Sequence, residues 1–130
     1  MSARRAPTPT DVELEILNVL WRRGPSTVRE VHNELLATRD TGYSTTLKMM
    51  QVMLEKNLVQ RDETVRPQVY RPVETQEKTQ ERLLDRLVQG AFGGAIDRLL
   101  IRALSTKRTS DDDLREMKRW IREAEQKRKP

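Results

Sequence analysis

Residues 42–59 read GYSTTLKMMQVMLEKNLV, and the way this helix divides its two faces decides the fold. Leu47, Met50 and Leu54 recur at the three- and four-residue spacing of one helical stripe, which predicts a core-facing side. A turn of about 100° per residue then puts Thr45, Lys48, Met49 and Val52 on the opposite side. A cation, a hydroxyl and two apolar groups are the types that meet a DNA major groove: lysine for guanine acceptors or phosphate, hydroxyls for base edges, apolar groups for thymine methyls. Ser44 and Thr46 fall nearer the edge of that face, where backbone phosphates are met, and Ser44 or its neighbour is the candidate helix cap. The competing reading is that Met49 and Val52 widen the core stripe and Lys48 is simply solvated. The neighbouring elements choose between them.

Thr10 precedes Glu13 by three residues, a reciprocal capping box that opens a first helix near Asp11. Leu14, Leu17, Leu20 and Trp21 follow at helical spacing, widened by Ile16 and Val19, until Gly24-Pro25 stops the helix. Thr27 and Glu30 repeat the box and open a short second helix with Val28, Val31, Leu35 and Leu36 inward. Asp40-Thr41-Gly42 turns the chain towards the third. From Leu58 the period changes. LVQRDETVRPQVYRPV (58–73) sets β-branched and aromatic residues on either side of a polar, proline-containing middle. That predicts a hairpin with strands near 58–62 and 68–73, the second closed by Pro72, which cannot donate to a ladder. Three helices and then a hairpin is the order of a winged helix-turn-helix, whose third helix enters the major groove while the hairpin flanks it. In that order the groove-reading face is favoured, and the wing adds Arg61 and, near its tip, Arg66 as phosphate contacts. The predicted DNA-contacting set is Ser44, Thr45, Thr46, Lys48, Met49, Val52, Arg61 and Arg66.

Beyond Val73 helix returns. Leu84, Leu87, Val88, Ala91, Phe92, Ile96, Leu99, Leu100 and Leu104 form a stripe too broad for one neighbour to cover, and an apolar face without a cover reads as an interface. Gly90, Gly93 and Gly94 interrupt it, for a bend or for close approach of another helix. Ser110, followed by Asp111, Asp112 and Asp113, caps a last helix whose Leu114, Met117 and Ile121 make a narrow seam with Trp120 beside it. The residues from Leu84 to Ile121 in these stripes are the predicted dimerisation surface. The expected organisation is mainly α, with a winged-helix DNA-binding domain over residues 1–73 and a helical dimerisation domain over 74–130.

Composition bounds the alternatives. The 130 residues are 35% hydrophobic, enough for one modest core with an extension. Charged residues make up another 35% and aromatics only 4%, which favours helices over a β-sandwich. The absence of cysteine excludes disulfides, thiolate zinc sites and cysteine nucleophiles. His32, the single histidine, supports neither a histidine metal site nor a Ser-His-Asp triad and reads as a partly exposed helix residue. Asp111–Asp113 lacks the ligand spacing and glycine of a calcium loop. No catalysis, cofactor or metal is expected. No run reaches the ~18 apolar residues of a membrane span, and MSARRAPTPT lacks the apolar stretch of a signal peptide, so a cytoplasmic location without membrane insertion is expected. A net charge of +5 and a pI near 9.9 point mildly to a polyanionic partner.

LNVLWRRGPSTVREVHNEL (17–35), GYSTTLKMMQVMLEKNLV (42–59) and RPQVYRPV (66–73) together resemble the BlaI/MecI-type penicillinase repressors, a likeness that continues through Gly90-Ala91-Phe92 and covers residues 8–125. The resemblance implies a homodimeric repressor that binds an inverted-repeat operator in double-stranded DNA through its third helices and dimerises through its C-terminal helices. It also implies an induction pathway, since in the best-known members a membrane sensor with a metalloprotease domain leads to cleavage at an Asn-Phe bond. The alignment places Arg98-Leu99 at that cleavage position, so this sequence departs from the pattern. A sister group senses copper through C-terminal cysteines, which are missing here. Two other uses of the fold stay open: a winged helix that docks a protein through Met49 and Val52, and a regulator with a small-molecule effector between the dimer arms near Phe92 and Trp120.

Overall fold

The computed structural model describes residues 7–106 and 108–128. Its elements are α1 (Asp11–Arg23), α2 (Val28–Leu35), α3 (Tyr43–Glu55), β1 (Val59–Asp62), β2 (Val69–Pro72), α4 (Gln76–Ala91), α5 (Ile96–Thr106) and α6 (Asp111–Arg128). The mainly helical architecture with a two-stranded wing is the one expected. The chain divides into two compact units, one closing at Leu84 and the other opening at Asp85.

Local capping chemistry sets the helix starts of the first unit. Thr10 Oγ1 accepts from the Glu13 N–H at 3.2 Å while Glu13 Oε1 accepts from the Thr10 N–H at 2.9 Å. Thr27 and Glu30 repeat the exchange at 3.1 and 2.9 Å. Glu13 also accepts from Lys56 Nζ at 2.9 Å, which ties the start of α1 to the end of α3. Burial pushes its carboxyl up, but the Thr10 backbone N–H, the Lys56 ammonium and the Thr10 hydroxyl outweigh this and hold its pKa below the ordinary value. Helix α3 ends at a left-handed Asn57 (φ 65°). The Leu58 N–H donates to Met53 O at 2.9 Å and the Asn57 N–H to Leu54 O at 3.1 Å, so the last carbonyls are satisfied as the chain turns into β1.

The core joins Ile16, Leu17, Val19 and Leu20 of α1, Val28, Val31 and Leu35 of α2, Met50 and Met53 of α3, and Leu58, Val59 and Tyr70 of the hairpin. The strands pair antiparallel, Val59 opposite Pro72 and Asp62 opposite Val69. Ser26, in the α1–α2 connection, exchanges two backbone hydrogen bonds with Tyr70 at 3.0 and 2.8 Å and so pins the wing to the turn before α2. Trp21 Nε1 donates to Glu74 O at 3.1 Å, Glu74 takes the Arg82 guanidinium at 3.0 Å, and Thr79 is buried. These ties explain why the first unit takes in the start of α4 and closes at Leu84, past the boundary expected after Val73.

Four expectations are corrected. The deepest side chains of α3 are Thr46, Met50 and Met53, all fully buried, whereas Leu47 and Leu54 are half-buried; the inner face is rotated by roughly 60° from the stripe expected. Leu36 is exposed because α2 ends at Leu35 and the chain turns away. His32 is buried rather than partly exposed. Its Nδ1 lies 3.0 Å from Thr46 Oγ1, and its ring meets Tyr43 edge to face, with centroids 5.7 Å apart. Ser44 does not cap α3: Gly42 is the N-cap, and no side chain bonds to that end.

In the second unit the glycines break the helix. Gly93 and Gly94 adopt φ 58° and 84°, a region that costs glycine little, and the Gly94 N–H returns to Val88 O at 2.9 Å. Ser110 caps α6 as expected, accepting from the Asp113 N–H at 3.0 Å while Asp113 accepts from the Ser110 N–H at 3.3 Å. Among the described residues of this unit only Val88 is buried. Val88 is thus enclosed by its own chain, a correction to its place in the predicted dimer surface. Leu87, Ile96, Leu100, Ile101 and Leu104 are each 40–56% exposed, as is Leu84 at the end of the first unit, and Trp120 and Ile121 are about half exposed. Ile101 was not foreseen.

Candidate nucleic-acid interface

With Thr46, Met50 and Met53 inward, α3 presents Ser44, Lys48, Gln51 and Glu55 in one outward line, with Thr45 beside it. Lys48 lies at the middle of that face. Several cations of the first unit are already engaged: Arg22 with Glu34, Arg23 with Glu30, Arg39 with Glu15 and Lys56 with Glu13. These pairs stitch α1, α2 and α3 together. Lys48, by contrast, makes no ion pair among the described residues and is free to meet an anion.

On the side of α3 towards the start of α1, Thr10, Glu13, Ser44, Thr45, Lys48, Met49 and Val52 line an open cleft of about 450 Å³. Thr45 and Lys48 project from it, whereas Val52 is half-buried and Met49 leans on the core. Met49 therefore shares its surface between packing and the cleft. Thr46 does not belong to this surface, contrary to expectation. It is fully buried, its hydroxyl held by His32 and by Gly42 O, and it cannot reach a phosphate. The lone histidine one helix earlier was the signal, since a buried hydroxyl needs a partner.

The hairpin side carries a second cleft, of about 250 Å³, whose lining includes Arg29, Tyr43, Gln51, Arg61 and Gln68. The Arg29 guanidinium stacks over the Tyr43 ring, 3.9 Å from its centroid. Arg61 is half-buried and pairs with Glu63 at 2.6 Å; Tyr70 first, and then Glu63, raise its pKa further. Its charge is therefore partly offset. Arg66, at the wing tip, is exposed and folds onto its own loop, donating to Glu63 O at 2.9 Å. The sequence reading missed Arg29 and Gln51, neither of which stands out until α2, α3 and the wing are brought together.

Among the described residues no His, Cys, Asp or Glu cluster could hold a metal ion, and no helix is long and apolar enough to cross a membrane.

The penicillinase repressor family matches residues 9–123. The chain belongs to this family. A relative, the transcriptional regulator BlaI of Mycobacterium tuberculosis, is 32% identical over 117 residues, 88% of this chain and 83% of that one. Among solved structures, the monomeric form of Bacillus licheniformis BlaI in complex with the blaP half-operator matches with a TM-score of 0.51 at 25% identity, over 58% of this chain and 92% of that chain. A MarR family protein from Bacillus stearothermophilus reaches the same TM-score at 23% identity, over 91% and 74% of the two chains, and shares the fold. The resemblance carried by residues 17–35, 42–59 and 66–73 is thereby established. Its class is that of DNA-binding winged-helix transcriptional repressors.

Proposed function

We propose that the chain is an operator-binding repressor that works as a homodimer, each protomer placing α3 in a major groove of an inverted repeat and so excluding polymerase. The observation that carries this is the outward face of α3, where Lys48, without an ion pair among the described residues, sits among exposed Ser44, Thr45 and Gln51. In the Bacillus licheniformis relative the partner is a half-operator, and its match covers 58% of this chain. Ser44, Thr45, Lys48 and Val52 are assigned to the groove, Arg61 and Arg66 to the flanking phosphates. The reading contains no catalytic step.

The second unit supports dimerisation. A helical segment with a single buried residue gains too little from its own packing to hold one arrangement. A second copy laid on Leu87, Ile96, Leu100 and Leu104 removes that apolar surface from water. Arg98 and Leu99 lie in the first turn of α5, and the Arg-Leu pair is not the Asn-Phe bond of the proteolysed relatives, so cleavage there is not part of the proposal.

Lys48→Ala tests the groove assignment. Its loss is expected to weaken operator binding by about 1–3 kcal/mol while changing binding to unrelated DNA far less, as for a base contact. Wild-type affinity is expected to fall steeply between about 50 and 200 mM salt, as phosphate-dominated binding does. Titrations in which Lys48→Ala binds every DNA like wild type remove this residue from the site, and salt-independent binding favours an apolar docking surface.

A further inference from the structure

We infer that Gln51 determines specificity, reading an adenine edge in the major groove; this rests on the DNA-binding reading of α3 proposed above. Gln51 lies one turn beyond Lys48 on the same outward line of α3, is exposed, and its amide makes no hydrogen bond among the described residues. No structural duty accounts for it. It borders the cleft between α3 and the wing, where Arg29 and Arg61 stand on the other elements. Arg29 is held in place by its stack on Tyr43 at 3.9 Å, and Arg61 by Glu63 at 2.6 Å. Two fixed cations that share a cleft with a neutral amide divide the work by chemistry: the guanidiniums suit the phosphates that set register, and the amide suits a base edge. A glutamine amide offers one acceptor and one donor in the spacing of adenine N6 and N7, whereas a phosphate uses only its donor. Lys48, a donor only, pairs with guanine acceptors. Neighbouring Lys48 and Gln51 therefore read different bases of the half-site.

The test is in vitro selection of operator DNA from a randomised duplex pool with the full-length wild-type protein, repeated with Gln51→Ala and Gln51→Glu. The wild-type motif is expected to contain in each half-site one position that requires A·T, with about a tenfold or greater loss on substitution there. Gln51→Ala is expected to lose that preference alone and to keep the others. Gln51→Glu is expected to move it towards cytosine, whose N4 amino group donates to a carboxylate. An unchanged motif in both variants overturns the inference while leaving the DNA reading intact, and so does uniform weakening at every position. Failure of the wild-type protein to select any motif overturns both. Unchanged thermal melting of the exposed-site variants keeps these outcomes separate from loss of fold.

Discussion

Leu100→Asp is expected to convert the dimer to a monomer and to cut operator affinity by about a hundredfold or more. Leu100 is 40% exposed in α5, in line with Ile96 and Leu104 on a face that its own chain leaves open. A carboxylate placed in the middle of that face must be desolvated for the copies to pair, and an unpaired buried charge costs several kcal/mol. The protomer itself has little to lose, because the side chain is not part of its core. Operator binding suffers in turn because two linked reading helices gain a factor of roughly 10²–10⁴ over one. Sedimentation velocity gives the oligomeric state, and binding to whole and half operators gives the coupling. A variant that stays dimeric removes α5 from the interface. A monomer that binds the whole operator as tightly as wild type removes dimerisation from the mechanism.

The second large effect is on stability. Met50→Ala is expected to lower the unfolding free energy by about 2–5 kcal/mol, as deletions of fully buried methionines do. Met50 is fully buried on the inner face of α3 and packs in the cluster formed with α1, α2 and the hairpin. Against a total of about 5–15 kcal/mol for a domain this is a large fraction. The groove side chains are untouched, so the folded fraction of the variant is expected to keep the wild-type operator preference. Urea unfolding of variant and wild type side by side gives the difference. A shift under about 0.5 kcal/mol, the range of ordinary surface substitutions, means that α3 presents a different face to the core.

The contrast between these two sites shows where sequence reasoning succeeds and where it stops. Helix starts were legible because capping is local: Thr10 with Glu13, Thr27 with Glu30 and Ser110 with Asp113 each form the exchange their spacing announces. The hairpin was legible for the same reason, its strands separated by a polar segment with Pro67. The rotation of α3 was not. Leu47, Met50 and Leu54 make as good a stripe as Thr46, Met50 and Met53, and the choice depends on His32, fourteen residues earlier, which satisfies the Thr46 hydroxyl inside the core. Ser26 reads as part of a turn, and only the approach of Tyr70 makes it a bridge partner.

The site was legible to the same degree. Lys48 was found because it lies on the outward face under either rotation, towards its edge in the expected one and at its middle in the observed one. Gln51 and Arg29 were missed because a neutral amide and an arginine carry no pattern of their own. Their meaning comes from the cleft that α2, α3 and the wing build together. The apolar surface of the second unit was visible as excess hydrophobic breadth. Sequence could not say that Val88 is covered by its own chain while Ile101 is left outside.

Operator binding by a dimer through α3 is tested most directly by hydroxyl-radical footprinting of the wild-type protein on its selected operator. Two protected half-sites related by a dyad are expected, their centres about 10–10.5 base pairs apart or at a multiple of that helical repeat. One asymmetric protected patch, or no protection at saturating protein, contradicts a dimer reading an inverted repeat through α3.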